Sequence, residues 1–201
     1  MKIHVAKMAL SGFLKWTQRM LLTAAVSLLG YCGYVVADTW SFQNAELREF
    51  DRELAGKQPS TSIAHTLPRP ATGELIGHMS IQRLGLSVVV MEGTSSATLR
   101  HAAGHIVGTA MPGNVGNVGI SGHRDTLFRP LRNIRHNDII ELTTLQGEYR
   151  FRVVSTQLVS PQDIVVLNSS GGQVLTLVTC YPFYYVGSAP RRFIVRAERV
   201  I

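Results

Sequence analysis

Two cysteines among 201 residues leave almost no disulfide arithmetic. Cys32 lies in a long uncharged run and Cys180 near the far end of the chain, so no disulfide scaffold holds this fold. Acidic residues are also sparse: 13 Asp and Glu against 20 Lys and Arg, and none before Asp38. The acids beyond it are scattered rather than clustered, which gives no reason to expect a calcium site. Missing too are internal repeats, low-complexity tracts and the Gly-Lys-Ser/Thr that would turn Gly113, Gly116, Gly119 and Gly122 into a phosphate loop. His101 and His105 have the spacing of a helical metal pair but lack the Glu of His-Glu-x-x-His, and Gly104 weakens a helix there. No metal and no cofactor is expected.

The net charge of +7 is uneven. Lys2, Lys7, Lys15 and Arg19 put +4 ahead of Asp38, leaving +3 for the remainder, a distribution that argues against a nucleic-acid binder. Residues 20–37 form an eighteen-residue stretch without charge, near the lower limit for a helix crossing a hydrocarbon core of about 30 Å. The basic flank before it, and Trp16 and Trp40 on either side, predict a single membrane pass with the N-terminus in the cytoplasm. The rival is a cleaved signal peptide, for which Val36-Ala37-Asp38 offers only a weak site.

Beyond the anchor, residues 42–54 read as a short charged helix with Leu47, Phe50 and Leu54 on one face, either standing clear of the following domain or packed on it. Residues 56–72, with Pro59, Pro68 and Pro70, read as a tether. The expected organisation is a basic N-terminus over 1–19, an anchor over 20–37, a helix and linker over 38–72, and a folded domain over 73–201. Within that domain, short apolar runs at 75–81, 86–91, 118–121, 138–143, 149–157, 174–179 and 192–198 predict an all-β sandwich or barrel. Helical pieces are expected at 96–101 and 127–134, with a turn after Pro161. Asn168-Ser169-Ser170 is a glycosylation acceptor triplet of low specificity.

Chemistry concentrates at the C-terminal end. Thr176-Leu177-Val178-Thr179-Cys180 closes an apolar run, and Arg191-Arg192 opens the next one. A thiol of pKa about 8.5 needs positive neighbours or a base to act as a nucleophile at neutral pH. An arginine on the adjacent strand can stabilise the thiolate or an oxyanion. His123, in Ser121-Gly122-His123-Arg124-Asp125, is the candidate proton carrier. A small buried Cys beside two surface arginines fits the same spacing, and strand alternation leaves open which of Arg191 and Arg192 faces the thiol.

These motifs, a strand ending in Gly-His-Arg-Asp-Thr, then Thr-Leu-Val-Thr-Cys, then Arg-Phe-Ile-Val, resemble the sortases, membrane-anchored cysteine transpeptidases of bacterial surfaces. The resemblance runs from about Gly73 to Ile201. Cys180-Tyr-Pro-Phe, followed by Gly187-Ser-Ala-Pro190, is similar to class D in particular. It implies an eight-stranded β-barrel, which the seven runs reach with one more short strand near 105–108. It also implies His123, Cys180 and Arg192 as the catalytic set, with Arg192 preferred to Arg191 on the family pattern, and Thr179 at a position of substrate contact. Asp125, two residues after His123, would at most position the imidazole locally.

The reaction implied is cleavage of a Leu-Pro-x-Thr type sorting signal of an exported protein through a Cys180 thioester. The acyl group then passes to an amine of a cell-wall precursor or a pilin lysine. The alternatives are a hydrolase of the same signal and a catalytically silent barrel that binds peptides or scaffolds a surface assembly.

Overall fold

Alternating side chains build the strands, and their pairing closes the sheet. The computed structural model describes residues 2–56, 70–169, 171–185 and 187–200, with side chains from Phe13 onward. Its strands are β1 (Leu75–Ile81), β2 (Leu86–Glu92), β3 (Ala103–His105), β4 (Gly116–Ser121), β5 (Ile139–Thr144), β6 (Gly147–Val159), β7 (Gln173–Tyr181) and β8 (Arg191–Val200). They form a closed barrel in the order β1, β2, β3, β4, β7, β8, β6, β5, with β5 returning to β1. Closure removes free sheet edges. The pairs β2/β3 and β4/β7 are parallel and the remaining ones antiparallel. Of the sandwich and the barrel that the strand runs leave open, this is the barrel, with the eight strands that the resemblance implies.

Inward-facing residues fill the barrel: Met79 and Ile81 of β1, Val88 and Val90 of β2, Ile120 of β4, Leu142 of β5, Phe151 and Val153 of β6, Leu175 and Leu177 of β7, and Val195 and Ala197 of β8 are all buried in one cluster. Two elements differ from expectation. The short strand expected at 105–108 lies earlier, because the N–H and hydroxyl of Thr109 both donate to the Ile106 carbonyl and turn the chain there. The helix expected at 127–134 is instead a 3-10 turn, Arg129–Asn133, in which Leu131 N–H donates to Phe128 O and Ile134 N–H to Leu131 O. Pro130 supplies no donor of its own.

Helix α1 runs from Lys2 to Gly56 without a break. The chain divides into two units at Ser41 and Phe42. The first carries an uncovered apolar stretch of mean hydropathy 1.8, long enough to cross a membrane. In the second, the end of α1 packs on the barrel: Gln43 Oε1 accepts from Val89 N–H at 2.9 Å, Gln43 Nε2 donates to His101 O, and Phe50 is buried. Leu47 and Leu54, on the same face, are half-buried. Of the tether expected over 56–72, Gly56 ends α1 and Ala71 N–H donates to Glu74 Oε2 at 2.7 Å, while residues 57–69 lie outside the described residues, as does Ser170 of the acceptor triplet.

The two histidines considered as a metal pair are separated by the fold. His101 ends α2 (Ser96–His101), whereas His105 lies in β3 with Nδ1 2.8 Å from Glu92 Oε2 and Nε2 3.0 Å from both Ala110 O and Thr109 Oγ1. Its ring is fully engaged in the protein interior.

Candidate active site

Two opposed positions on neighbouring strands, and the turn after a third strand, carry the candidate groups. Leu175 and Leu177 of β7 face the core, so Thr176, Val178 and Cys180 project from the other side of the sheet. Cys180 lies inside β7, not at its end, because pairing with β8 continues through Tyr181 and Arg191. In the antiparallel register Cys180 stands opposite Arg192, and directly opposed residues share a face. Arg191, opposite Tyr181, takes the other face. The Arg192 side chain is half-buried, and its Nη1 donates to Ala189 O at 3.3 Å and to Arg191 O at 3.2 Å. Cys180 is a free thiol, partly exposed.

On the other side of β7 runs β4, parallel, with Ser121 opposite Val178. Pairing persists one residue further, since Gly122 N–H donates to Val178 O at 3.1 Å. His123 follows in the turn after β4, two residues past Ser121, as Cys180 is two residues past Val178. His123 is exposed, and its carbonyl is held by Phe128 N–H at 3.0 Å. The turn has no room for a larger residue before the histidine: a Cβ on Gly122 would meet ring carbons of buried Phe128 at 2.8 Å.

Thr179 and Asp125 stand differently from the three groups above. Thr179, 2% exposed, faces inward opposite Phe193, and its hydroxyl donates to Gly122 O at 2.7 Å. It ties the start of the His123 turn to β7, and its side chain is on the side of the sheet away from Cys180. Asp125 is exposed and, among the described residues, makes no hydrogen bond with His123.

Four further residues that the sequence does not single out, Asn117, Arg124, Ile164 and Val165, lie around these groups. The segment between β6 and β7, with a 3-10 turn at Ile164–Leu167, lies over the outer face of β4 and β7. Asn117 pins it: Nδ2 donates to Val166 O at 3.0 Å and Asn168 O at 3.3 Å, while Oδ1 accepts from Thr176 Oγ1 at 2.7 Å. Asn117 and Thr176 are both essentially inaccessible. Ile164 and Val165, at the tip of the turn, are exposed apolar side chains beside this face. Arg124, next to His123, is buried and reaches the β7–β8 connection. The one legible signal was polar residues interrupting apolar strand runs, as Thr176 does between Leu175 and Leu177.

The arrangement offers a nucleophile, a cation on the same face and an imidazole on the flanking strand end, the set needed for acyl transfer through a thioester. Comparison with known proteins agrees with it. A model of the sortase domain matches residues 79–200. Sortase D of Bacillus subtilis (strain 168) is 31% identical over 189 residues, spanning 90% of this chain and 96% of that protein. Sortase A of Listeria monocytogenes is 26% identical over 135 residues, 65% of this chain and 60% of the relative. Among solved structures, the Clostridium perfringens Sortase D5 transpeptidase superposes with a TM-score of 0.69 at 29% identity, covering 80% of this chain and 99% of that one. Fold, motif order and likeness over nearly the whole length converge: the chain belongs to the sortase family of cysteine transpeptidases.

Proposed function

We propose that this sortase cleaves a Leu-Pro-x-Thr type sorting signal and transfers the acyl group to an amine, with Cys180 as nucleophile, Arg192 as oxyanion donor and His123 as proton carrier. The Cys180 sulfur attacks the carbonyl carbon after the Thr, and Arg192 offsets the charge that develops on its oxygen. The C–N bond breaks as His123 delivers a proton to the departing amine, leaving a thioester. An incoming amine then loses its proton to His123, attacks the thioester carbon and releases Cys180 as the thiolate, which restores the thiolate and protonated His123 from which the first half began. Thr179 enters as a positioning residue that holds Gly122, and Asp125 has no direct step.

The observation that carries this reading is the Cys180–Arg192 register pair, which supports Arg192 rather than Arg191 as the cation on the Cys180 face. The exposed apolar pair Ile164 and Val165 suits the Leu and Pro of the signal. Residues 20–37 serve as a retained anchor with residues 1–19 in the cytoplasm, 38–72 as helix and linker, and 73–201 as the catalytic domain outside the bacterial cytoplasmic membrane. Confinement at the outer face raises the effective concentration of a membrane-held signal and of an amine on a cell-wall precursor or a pilin.

The test is mass spectrometry of the full-length protein in detergent micelles with Leu-Pro-x-Thr-x peptides and an amine, for wild type, Cys180→Ala, His123→Ala and Arg192→Ala. Expected is a covalent adduct on Cys180 in wild type that resolves to an amide, and loss of amide product in all three variants. Release of the acid alone would mark a hydrolase. Absence of any adduct across the peptide set, with Cys180 inert to a thiol-reactive probe, would mark a silent binding barrel.

A further inference from the structure

We propose that Arg124 is a positioning residue that holds Arg192 on the Cys180 face, acting through the backbone of the β7–β8 connection. This rests on reading Arg192 as the oxyanion donor. Arg124 is a charged side chain only 8% exposed, and a charge so buried must find compensation within the protein. Its Nη2 donates to Tyr185 O at 2.7 Å and to Gly187 O at 3.1 Å, and its guanidinium carbon lies 5.8 Å from the Tyr185 ring centroid. Backbone carbonyls and one aromatic face therefore carry the compensation. Nη1 is buried with no partner among the described residues, so the bonds Arg124 does make all go to this one segment.

The same segment is what Arg192 leans on. Two residues beyond Gly187, the carbonyl of Ala189 accepts from Arg192 Nη1 at 3.3 Å, and the other bond of that nitrogen, to Arg191 O, is 3.2 Å. Both are long for N–H···O bonds, so they hold the guanidinium weakly and depend on the Ala189 carbonyl staying in place. Arg124 fixes the carbonyls two and four residues before it. Arg132 adds a lesser hold, donating to the Tyr184 hydroxyl at 2.5 Å from an exposed position. Contacts thus lead from the residue after His123 to the carbonyls of Tyr185 and Gly187, and two residues further on the Ala189 carbonyl meets the cation opposite Cys180. The planar guanidinium suits the task, since it presents donors to two carbonyls while stacking on a ring, which an ammonium cannot reproduce.

The experiment is a double-mutant cycle on the full-length protein in micelles, with kcat and KM measured for a Leu-Pro-x-Thr peptide and an amine. The variants are Arg124→Gln, Arg124→Lys, Arg192→Lys and the combinations. Arg124→Gln is expected to lower kcat by about tenfold to a hundredfold, the scale of a small misplacement at a reacting centre, with KM changed less than about twofold. In the Arg192→Lys background the same change should add almost nothing, because residues acting as a unit are not additive. Arg124→Lys should recover part of kcat by reaching one carbonyl, and it carries the cycle if Arg124→Gln does not fold. Amide exchange of residues 183–190 should rise in Arg124→Gln. Wild-type kcat in Arg124→Gln, or a full multiplicative penalty on top of Arg192→Lys, would overturn the proposal. Wild-type kcat in Arg192→Lys alone would refute the oxyanion role itself, and the link to Arg124 would fall with it, a result distinct from the other two.

Discussion

Replacing Asn117 by Ala should loosen the segment over the site before it harms the barrel. The amide makes three hydrogen bonds, two as donor to Val166 O and Asn168 O and one as acceptor from Thr176. The first two lie in a loop whose neighbouring residues are exposed, so water can replace them at a net loss of about 1 kcal/mol each. The third is different, because Thr176 is wholly inaccessible and its hydroxyl would be left with no acceptor, at a cost of about 1–3 kcal/mol. Together these place Asn117→Ala at about 3–5 kcal/mol, with Asn117→Asp worse, since a carboxylate would face two carbonyls. Thr176→Val alone leaves the buried Asn117 Oδ1 without its donor and should likewise cost about 1–3 kcal/mol. The double variant should cost less than the two singles added, because no orphaned hydroxyl remains. Equilibrium denaturation supplies the energies, amide exchange at residues 164–168 reports the loop, and peptide KM should rise as that wall loses its place. Strict additivity of the pair, or an Asn117→Ala penalty below about 0.5 kcal/mol, would refute the reasoning.

Two further predictions concern the sequence on either side of the site. Gly122→Ala forces a Cβ against the Phe128 ring and should cost about 1–3 kcal/mol of stability. Thiol labelling of Cys180 should then persist while turnover drops, because the displaced group is His123; unchanged turnover would count against the turn as its support. Beside the 3-10 turn Arg129–Asn133, where Arg83 Nη2 also donates to Asn133 O, hydrogen bonding from Arg83, aided by Arg135 N–H and by the charges of both arginines, holds the Asp138 carboxyl below its ordinary value of 3.8 despite burial. The folded state therefore binds its proton less readily than the unfolded chain, so the contribution is complete above the ordinary carboxylate range and is lost as pH falls through the lowered value. Asp138→Asn should be less stable than wild type at pH 7, and the two denaturation midpoints should converge toward pH 2; a gap constant from pH 7 to pH 2 would contradict the assignment.

Much of the barrel was legible because period-two patterning is local. In β1, Met79 and Ile81 face the core while His78 and Ser80 do not, and both ends of the strand fall where the apolar run begins and stops. Cys180 and His123 stood out in the sequence as the candidate nucleophile and proton carrier. The phase of Arg191 and Arg192 was not, since alternation sets them on opposite faces without saying which, and only the register with β7 decides it. Asn117 and Arg124 escaped for a related reason. Their partners lie 49 to 63 residues away, and nothing in a Gly-Asn-Val or a His-Arg-Asp triplet reports a distant carbonyl. Pro130 did carry a local signal for the shorter turn, as a residue that donates no hydrogen bond to a helix.

The parallel pairing of β4 with β7 has a consequence for how this site responds to perturbation. His123 and Cys180 are 57 residues apart, and parallel neighbours need a crossover to join them. Here the crossover is no loose loop: it contains β5 and β6, which pair with each other and then with β1 and β8. β8 in turn pairs with β7 and brings Arg192 to Cys180. The imidazole end of the site and the arginine end are thus joined around the barrel by the same strands that build its core. Weak pairing far from the thiol, at the β5–β6 hairpin for example, would reach the site as a shift of β8 against β7 before it reached any loop that touches substrate. The loops over the site, held by Asn117 and Arg124, adjust what the strands have already set in register.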